Sequence, residues 1–162
     1  MGVCAIRIDE RLIHGQVAMA WTRDLGIQGI MVADDEAAAN EMQKMTLKMA
    51  VPDGIKCIIK TMPEIIALLN NPRSEGMRIL VLVRTVRNAL EIYKAVPGIE
   101  YVNIGNAGRF TSGDGTERTI ISRSVSLTAD EMEALRELVE LAPDTALQMV
   151  PSDEKKLVSE VL

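Results

Sequence analysis

The sequence predicts an α/β fold: a single-domain, mainly parallel open sheet with helices on both faces. Short β-rich runs alternate with helical patterns along all 162 residues, which is typical of this class. The run Arg78–Val83 (RILVLV) is continuously apolar, as expected for a strand that helices cover on both faces. No linker, repeat or low-complexity segment interrupts the pattern, so residues 1–162 are predicted to form one domain.

Hydrophobic periodicity locates the predicted elements along the chain. The first strand, Val3–Asp9, alternates apolar and polar side chains, and the first helix, His14–Leu25, carries Val17 and Trp21 on one face. The other predicted elements are strands at Ile27–Ala33, Ile55–Lys60, Arg78–Val83, Tyr101–Ile104 and Ala146–Val150, and helices at Asp35–Ala50, Thr85–Val96 and Thr128–Ala142. The strand-like segment Thr119–Leu127 allows either one bent strand or two short ones.

Capping residues mark the starts of three of the predicted helices. Thr61 with Glu64, and Thr128 with Glu131, have the spacing of a capping box, which satisfies free backbone N–H groups at a helix start. Ser152 is predicted to cap a last helix near the end of the chain. The apolar residues of that last helix are Leu157, Val158 and Val161.

Composition argues against several classes of protein. A net charge of −5 without a long basic block argues against nucleic acid as a partner. No apolar run approaches the roughly 18–20 residues of a membrane-spanning helix, so any membrane contact is predicted to be peripheral. Cys4 and Cys57 lie far apart in strand-like runs, which predicts reduced thiols and a cytosolic location.

Methionine is predicted to fill much of the core. Aromatic residues make up only 2% of the chain, and most of the ten methionines fall inside apolar runs. Met42, Met45 and Met49 share one helical face with Ala38. We therefore expect these methionines to pack in the core, with an adaptable partner-binding surface as the alternative.

The loop after the first strand is the predicted functional site, because ligands in open α/β sheets bind beyond the carboxyl ends of strands. This loop holds His14, the only histidine, at the start of a helix, where free N–H groups and the helix dipole favour anions. Arg11 can pair with phosphate oxygens through its planar guanidinium, and Gly15 lets a ligand approach the backbone closely. On these residues alone, a phosphoryl-carrying histidine and an ordinary polar boundary histidine both remain open.

Other kinds of site have weaker support. One histidine and two distant cysteines have no zinc-ligand spacing, and the chain lacks the G-x-S-x-G sequence of a serine hydrolase. The polar segment Gly105–Arg118 lacks the G-K-[ST] ending of a P-loop and is predicted to be a loop near the site or a partner contact. Asp34 and Asp35 follow the second strand, and helix capping is favoured there over metal binding or general-base chemistry.

The segment IRIDERLIHGQV, followed by Trp21, resembles the hallmark R-I-D-D-R-L-I-H-G-Q-V…W of one protein family. The family is the IIB components of the mannose/fructose/sorbose type of the bacterial phosphotransferase system. Val32–Glu36, Met49–Pro52 and Asn103–Gly105 are also similar to family segments. The chain departs from the pattern at Glu10, where aspartate is commoner, and at Asn106–Gly108, where the family often has glycine and methionine.

The resemblance implies a phosphocarrier enzyme. His14 would accept a phosphoryl group, by family analogy at Nδ1, from a phosphohistidine on a IIA protein. It would pass the group to a sugar held by the membrane components IIC and IID. The enzyme would be a protein-histidine–sugar phosphotransferase that uses no diffusible cofactor, because the phosphoryl group comes from phosphoenolpyruvate through upstream proteins. The implied location is the cytoplasm, at the inner face of the membrane.

The resemblance also assigns roles within the loop. Arg11 would neutralise the phosphoryl oxygens. Asp9 would either support the loop, through backbone N–H groups or by pairing with Arg7 or Arg11, or take part directly in catalysis. Gln16 would hydrogen-bond the phosphate or the loop.

Two alternative functions remain open. One is a non-catalytic regulatory module that senses phosphorylation or binds a partner. A more distant one is a nucleotide- or phosphate-binding domain. Exposed helix faces leave room for a homodimer, and the sequence does not name the sugar.

Overall fold

The computed structural model describes residues 2–108 and 117–162. In chain order the elements are β1 (Gly2–Asp9), α1 (Gly15–Leu25), β2 (Gly29–Ala33), α2 (Asp35–Ala38), α3 (Glu41–Met49), β3 (Lys56–Lys60), α4 (Met62–Leu69), β4 (Arg78–Val83), α5 (Val86–Ala95), β5 (Val102–Asn106), β6 (Thr119–Ser122), β7 (Val125–Leu127), α6 (Ala129–Leu141), β8 (Ala146–Leu147) and β9 (Lys156–Leu157), with 3₁₀ helices at Pro72–Gly76 and Val158–Glu160.

Seven strands form one open sheet in the order β3-β2-β4-β1-β5-β8-β9, parallel except for the last pair. Residues of β4 alternate between the two cores, with Leu80 and Leu82 facing one and Ile79, Val81 and Val83 facing the other. Helices α1 to α3 cover the first face and α4 to α6 cover the second. The predicted fold class is therefore confirmed, and the two-sided burial explains the continuous apolar run.

The strand order creates a crevice at the carboxyl end of the central strand. β1 lies between β4 and β5. The chain leaves β1 for α1 on one face of the sheet, whereas it leaves β4 for α5 on the other face. The loops after β1 and β4 therefore diverge, which is where ligands bind in open α/β sheets.

The predicted helix Asp35–Ala50 is broken into two. Asn40 caps α3 with its side-chain oxygen, which accepts a hydrogen bond from the Gln43 backbone N–H at 3.0 Å. An asparagine that caps in this way competes with helix continuation, so a new helix begins here in a new direction.

The new direction of α3 turns its methionines outward. Met42, Met45 and Met49 are 78%, 66% and 82% exposed, so the prediction that they fill the core is wrong for these three. Leu47 is the buried residue of α3. Met31, Met62 and Met132 do lie in the core, as expected.

The end of the chain differs from its prediction. The predicted strand Ala146–Val150 ends at Leu147, and the helix predicted to begin at Ser152 is wrong. Instead the chain turns and β9 pairs antiparallel with β8, with Leu157 opposite Ala146. The strand ends early because the carbonyl oxygens of Gln148 and Met149 accept hydrogen bonds from the side chains of Arg7 and Trp21 rather than from a neighbouring strand. Both side chains belong to the site described below.

The glycine-rich segment begins later than predicted. β5 continues through Asn106, and Ala107 still forms a bridge with Val125. Residues 109–116 of the predicted loop lie outside the described part of the chain. The segment Thr119–Leu127 forms two short antiparallel strands, β6 and β7, rather than one bent strand. No helix within the described ranges is long and apolar enough to cross a bilayer.

Candidate active site

His14 lies at the junction of the loop and α1, as predicted. It is the N-cap residue, with an extended backbone, and its carbonyl oxygen accepts the N–H of Ala18 at 3.2 Å. Its side chain makes no capping hydrogen bond and is 22% exposed. The imidazole instead turns back toward the end of β1, where its Nε2 lies 3.0 Å from Asp9 Oδ2.

Asp9 is the fully buried centre of the site. Its Oδ2 accepts hydrogen bonds from Arg7 Nη2 at 3.1 Å and from His14 Nε2, and its Oδ1 accepts from the Arg11 backbone N–H at 3.0 Å. Burial raises the pKa of Asp9, but the hydrogen bond from His14, the charge of Arg7 and the Arg11 N–H outweigh it and lower the pKa below its usual value. Asp9 is therefore a carboxylate at neutral pH, and it both holds the loop and contacts His14.

Arg7 carries the compensating positive charge from within the sheet. Its guanidinium lies 5.5 Å from the centre of the Trp21 ring, and its Nη1 donates to the side-chain oxygen of Asn103 and to the Gln148 carbonyl oxygen, the latter at 3.1 Å. An added Cβ at Gly105 would lie 2.1 Å from Arg7 Nη2, so only glycine fits at this point of β5. Burial lowers the pKa of Arg7, and the Asp9 carboxylate opposes that shift.

Replacing Arg7 by methionine should destabilise the fold by about 3–5 kcal/mol, because it leaves the Asp9 carboxylate buried without its closest charge partner. Denaturant unfolding would measure the loss, with Arg136→Met on the exposed face of α6 as a control expected to stay within about 0.5 kcal/mol. An Arg7→Met protein as stable as the control would show that the ion pair does not hold this end of the sheet.

Leu12 forces the loop into its turn. It has a φ of +58°, the left-handed conformation that non-glycine residues seldom adopt, at a cost of about 1–3 kcal/mol. The side chains of Leu12 and Ile13 are buried against the core beneath α1, and the Leu12 N–H donates to the Asp9 carbonyl oxygen at 3.0 Å. This packing holds the strained turn and fixes the direction from which His14 returns to Asp9.

A thioether sulfur lies among the basic side chains of the site. Met149 Sδ is 3.6 Å from Arg7 Nη2, 3.9 Å from Arg11 Nη2 and 3.7 Å from Asn106 Nδ2. The carbonyl oxygen of Met149 accepts the Trp21 Nε1–H at 3.0 Å. Trp21 therefore both packs in the core and holds the segment around Met149 through this hydrogen bond.

Gly15 and Gln16 occupy the first turn of α1 and are both exposed. An added Cβ at Gly15 would meet nothing within 4 Å, so the surface above it is open to an incoming group. Their predicted contacts with a phosphoryl group remain predictions.

Asp34 and Asp35 serve as helix caps. Asp34 Oδ2 accepts the Ala37 N–H at 2.9 Å and pairs with Arg84 at 3.2 Å, and Asp35 Oδ1 accepts the Met62 N–H at 2.9 Å. The capping prediction is therefore confirmed. Across residues 2–108 and 117–162, the structure contains no group of three or more His, Cys, Asp or Glu side chains able to hold a metal ion.

Sequence reasoning missed several residues of the site. Arg84 was detectable, because it follows β4 directly at the carboxyl end of the sheet; its Nη1 donates to the Glu10 carbonyl oxygen at 3.0 Å. The others come from distant parts of the chain, and none of them was predicted to take part in the site. They are Asn103, Asn106, Gln148 and Met149.

Comparison with known proteins agrees with this fold. Residues 3–162 match the family described as the PTS system sorbose subfamily IIB component. A Streptococcus pyogenes protein named "Probable phosphotransferase enzyme IIB component" is 44% identical over 99% of both chains. The mannose-specific EIIAB component of Escherichia coli is 30% identical over 92% of this chain and 45% of its own. The crystal structure of the IIBSor domain of the sorbose permease from Klebsiella pneumoniae superposes with a TM-score of 0.88 and 26% identity, covering 99% of this chain and 95% of that one. The chain therefore belongs to the sorbose subfamily of the IIB components of the phosphotransferase system.

Proposed function

We propose that this protein accepts a phosphoryl group on His14 from the phosphohistidine of a IIA protein and transfers it to a sugar hydroxyl. The observation that carries the proposal is the 3.0 Å contact between His14 Nε2 and Asp9 Oδ2. An ionised carboxylate can only accept hydrogen bonds, so His14 must carry its proton on Nε2. That tautomer leaves the Nδ1 lone pair available as the nucleophile.

Each transfer is a displacement at phosphorus. In the first, the Nδ1 lone pair of His14 forms a P–N bond while the P–N bond to the donor histidine breaks, and that electron pair returns to the donor's ring. In the second, a sugar hydroxyl oxygen forms a P–O bond while the bond to Nδ1 breaks. The electron pair returns to Nδ1 and the hydroxyl proton leaves to water. The enzyme contributes position and charge, as is usual for phosphoryl transfer.

The charges around His14 suit this chemistry. Asp9 fixes the imidazole, and buried Arg7 compensates the Asp9 carboxylate, with 3.1 Å between Nη2 and Oδ2. The Arg11 side chain is 38% exposed, and its Nε lies 3.6 Å from Asp9 Oδ1, the carboxylate that also contacts His14. Together with the free N–H groups at the start of α1, it supports stabilisation of the phosphoryl oxygens.

The partners follow from the same proposal. The name of the mannose-specific relative joins IIA and IIB in one component, which supports a IIA protein as the donor. The second transfer would take place where membrane components IIC and IID hold the sugar. The protein would then work in the cytoplasm, docked at the inner face of the membrane. No diffusible cofactor enters either step.

The proposal is tested by locating the phosphoryl group. The protein would be labelled with ¹⁵N-histidine, incubated with a phosphorylated IIA protein of the family and observed by ¹⁵N and ³¹P NMR. We expect one phosphohistidine, with phosphorus coupled to Nδ1, and loss of the signal on acid treatment. Coupling to Nε2 would contradict the role given to Asp9, and the absence of any phosphohistidine would contradict the function itself.

A further inference from the structure

Asn106 is a buried polar residue for which the fold provides almost no partners. It ends β5 beside Asp9, its register partner on β1, and is 1% exposed. Among residues 2–108 and 117–162, its side-chain oxygen has no hydrogen-bond partner, and its Nδ2 contacts only the Met149 sulfur at 3.7 Å. A thioether is a weak acceptor, so this amide is poorly satisfied at both ends. Buried polar groups in this condition call for an explanation other than stability.

The Met149 sulfur receives contacts that would suit a stronger acceptor. Arg7 Nη2 and Arg11 Nη2 lie 3.6 Å and 3.9 Å from the same sulfur that Asn106 contacts. Arg7 Nη2 also donates to Asp9 Oδ2, the atom that contacts His14. Arg7 therefore links the Met149 sulfur to the carboxylate that positions His14. N–H donors that converge on one point form a site for an anion, and a phosphoryl group offers three strong acceptor oxygens.

We propose that Asn106 binds the phosphoryl group carried by His14. While His14 is unphosphorylated, the Met149 sulfur occupies the place of the phosphoryl oxygen beside Asn106 Nδ2. The inference rests on the proposed function. Met149 is half-buried on a segment after the last parallel strand, and its unbranched side chain can take another rotamer when the anion arrives. Asn106 Nδ2 then exchanges a thioether for a charged oxygen, a markedly stronger partner.

Two variants test the proposal through the equilibrium of phosphoryl exchange with a phosphorylated IIA protein. Asn106→Leu keeps the branched arrangement of side-chain heavy atoms and removes the amide, and Asn106→Asp keeps the shape but puts a negative charge beside the phosphoryl group. We expect the equilibrium constant for phosphorylation of His14 to fall about tenfold to a hundredfold in both, as for loss of a hydrogen bond to a charged group. Asn70→Leu, at the opposite end of the sheet, is the matched control and should keep the wild-type constant.

A second measurement needs no variant of Asn106. In protein labelled at the methionine methyl groups, the Met149 resonance, assigned with Met149→Leu, should shift when His14 is phosphorylated. An unmoved resonance, or Asn106 variants with the wild-type equilibrium, would overturn this inference while the wild-type protein still becomes phosphorylated. If the wild-type protein takes up no phosphoryl group at His14, the proposed function fails instead.

Discussion

Replacing His14 by alanine should abolish phosphorylation by a phosphorylated IIA protein. His14 is the only histidine, and it is the side chain that the Asp9 carboxylate holds. The fold should tolerate the change, because the imidazole makes no capping hydrogen bond and Asp9 keeps its contacts with Arg7 and the Arg11 N–H. We expect the free energy of unfolding to change by no more than about 1 kcal/mol.

The measurement is incorporation of labelled phosphate after brief incubation, followed by sugar phosphorylation with the membrane components. Glu75→Ala, exposed in a 3₁₀ helix at the amino end of the sheet, is the control and should behave as wild type. Undiminished labelling of the His14→Ala protein would place the phosphoryl group on another residue. Undiminished sugar phosphorylation would favour the alternative of a regulatory module.

Replacing Asp9 by asparagine should slow phosphoryl transfer by about two to four orders of magnitude. The amide that replaces Oδ2 can turn its NH₂ group toward His14. Nε2 would then have to accept a hydrogen bond, and the ring proton would move to Nδ1, the atom that must attack phosphorus. Single-turnover transfer from phosphorylated IIA would measure the rate.

The same change also removes the counter-charge of buried Arg7, so lost activity could reflect a weakened fold. The double variant Arg7→Met with Asp9→Asn separates the two effects, because it removes both buried charges and should recover much of the stability that Arg7→Met loses. Its transfer rate should stay low, since no carboxylate fixes the tautomer. A double variant that regains wild-type transfer would show that Asp9 acts through stability alone.

The fold was predictable because its signals are local. Alternating periodicity and the apolar run Arg78–Val83 indicate a parallel sheet covered on both faces. Thr61 forms its predicted capping box with Glu64. Thr128 accepts the Glu131 N–H as predicted, but the Glu131 carboxylate accepts the Arg87 N–H instead of completing the box. The same local signals gave a wrong prediction at Asn40. Hydrophobic spacing predicts one helix through this residue, but Asn40 caps the start of a second helix. They also misled after Ser152, because pairing of β9 with an edge strand overrides a favourable cap.

Only the site residues in the loop after β1 were predictable from the sequence. Asp9, Arg11 and His14 lie within one loop, so spacing and position brought them together. Arg7 was named only as a partner for Asp9, because a charged residue within a strand looks exposed until the whole sheet is assembled. Asn106 and Met149 were not predicted as site residues, because contacts between distant parts of the sequence bring them to the loop. Asn106 is the register partner of Asp9, and Met149 contacts Arg7 across 142 positions.

The contact between Arg7 and the Gln148 carbonyl joins residues 141 positions apart. The surroundings of His14 are thus completed by β1 and by the segment that follows β8. During synthesis, His14 leaves the ribosome long before that segment exists. We therefore expect phosphorylation of His14 to require that Arg7 and Gln148 have come together, so chains still in synthesis would not draw phosphoryl groups away from the donor protein.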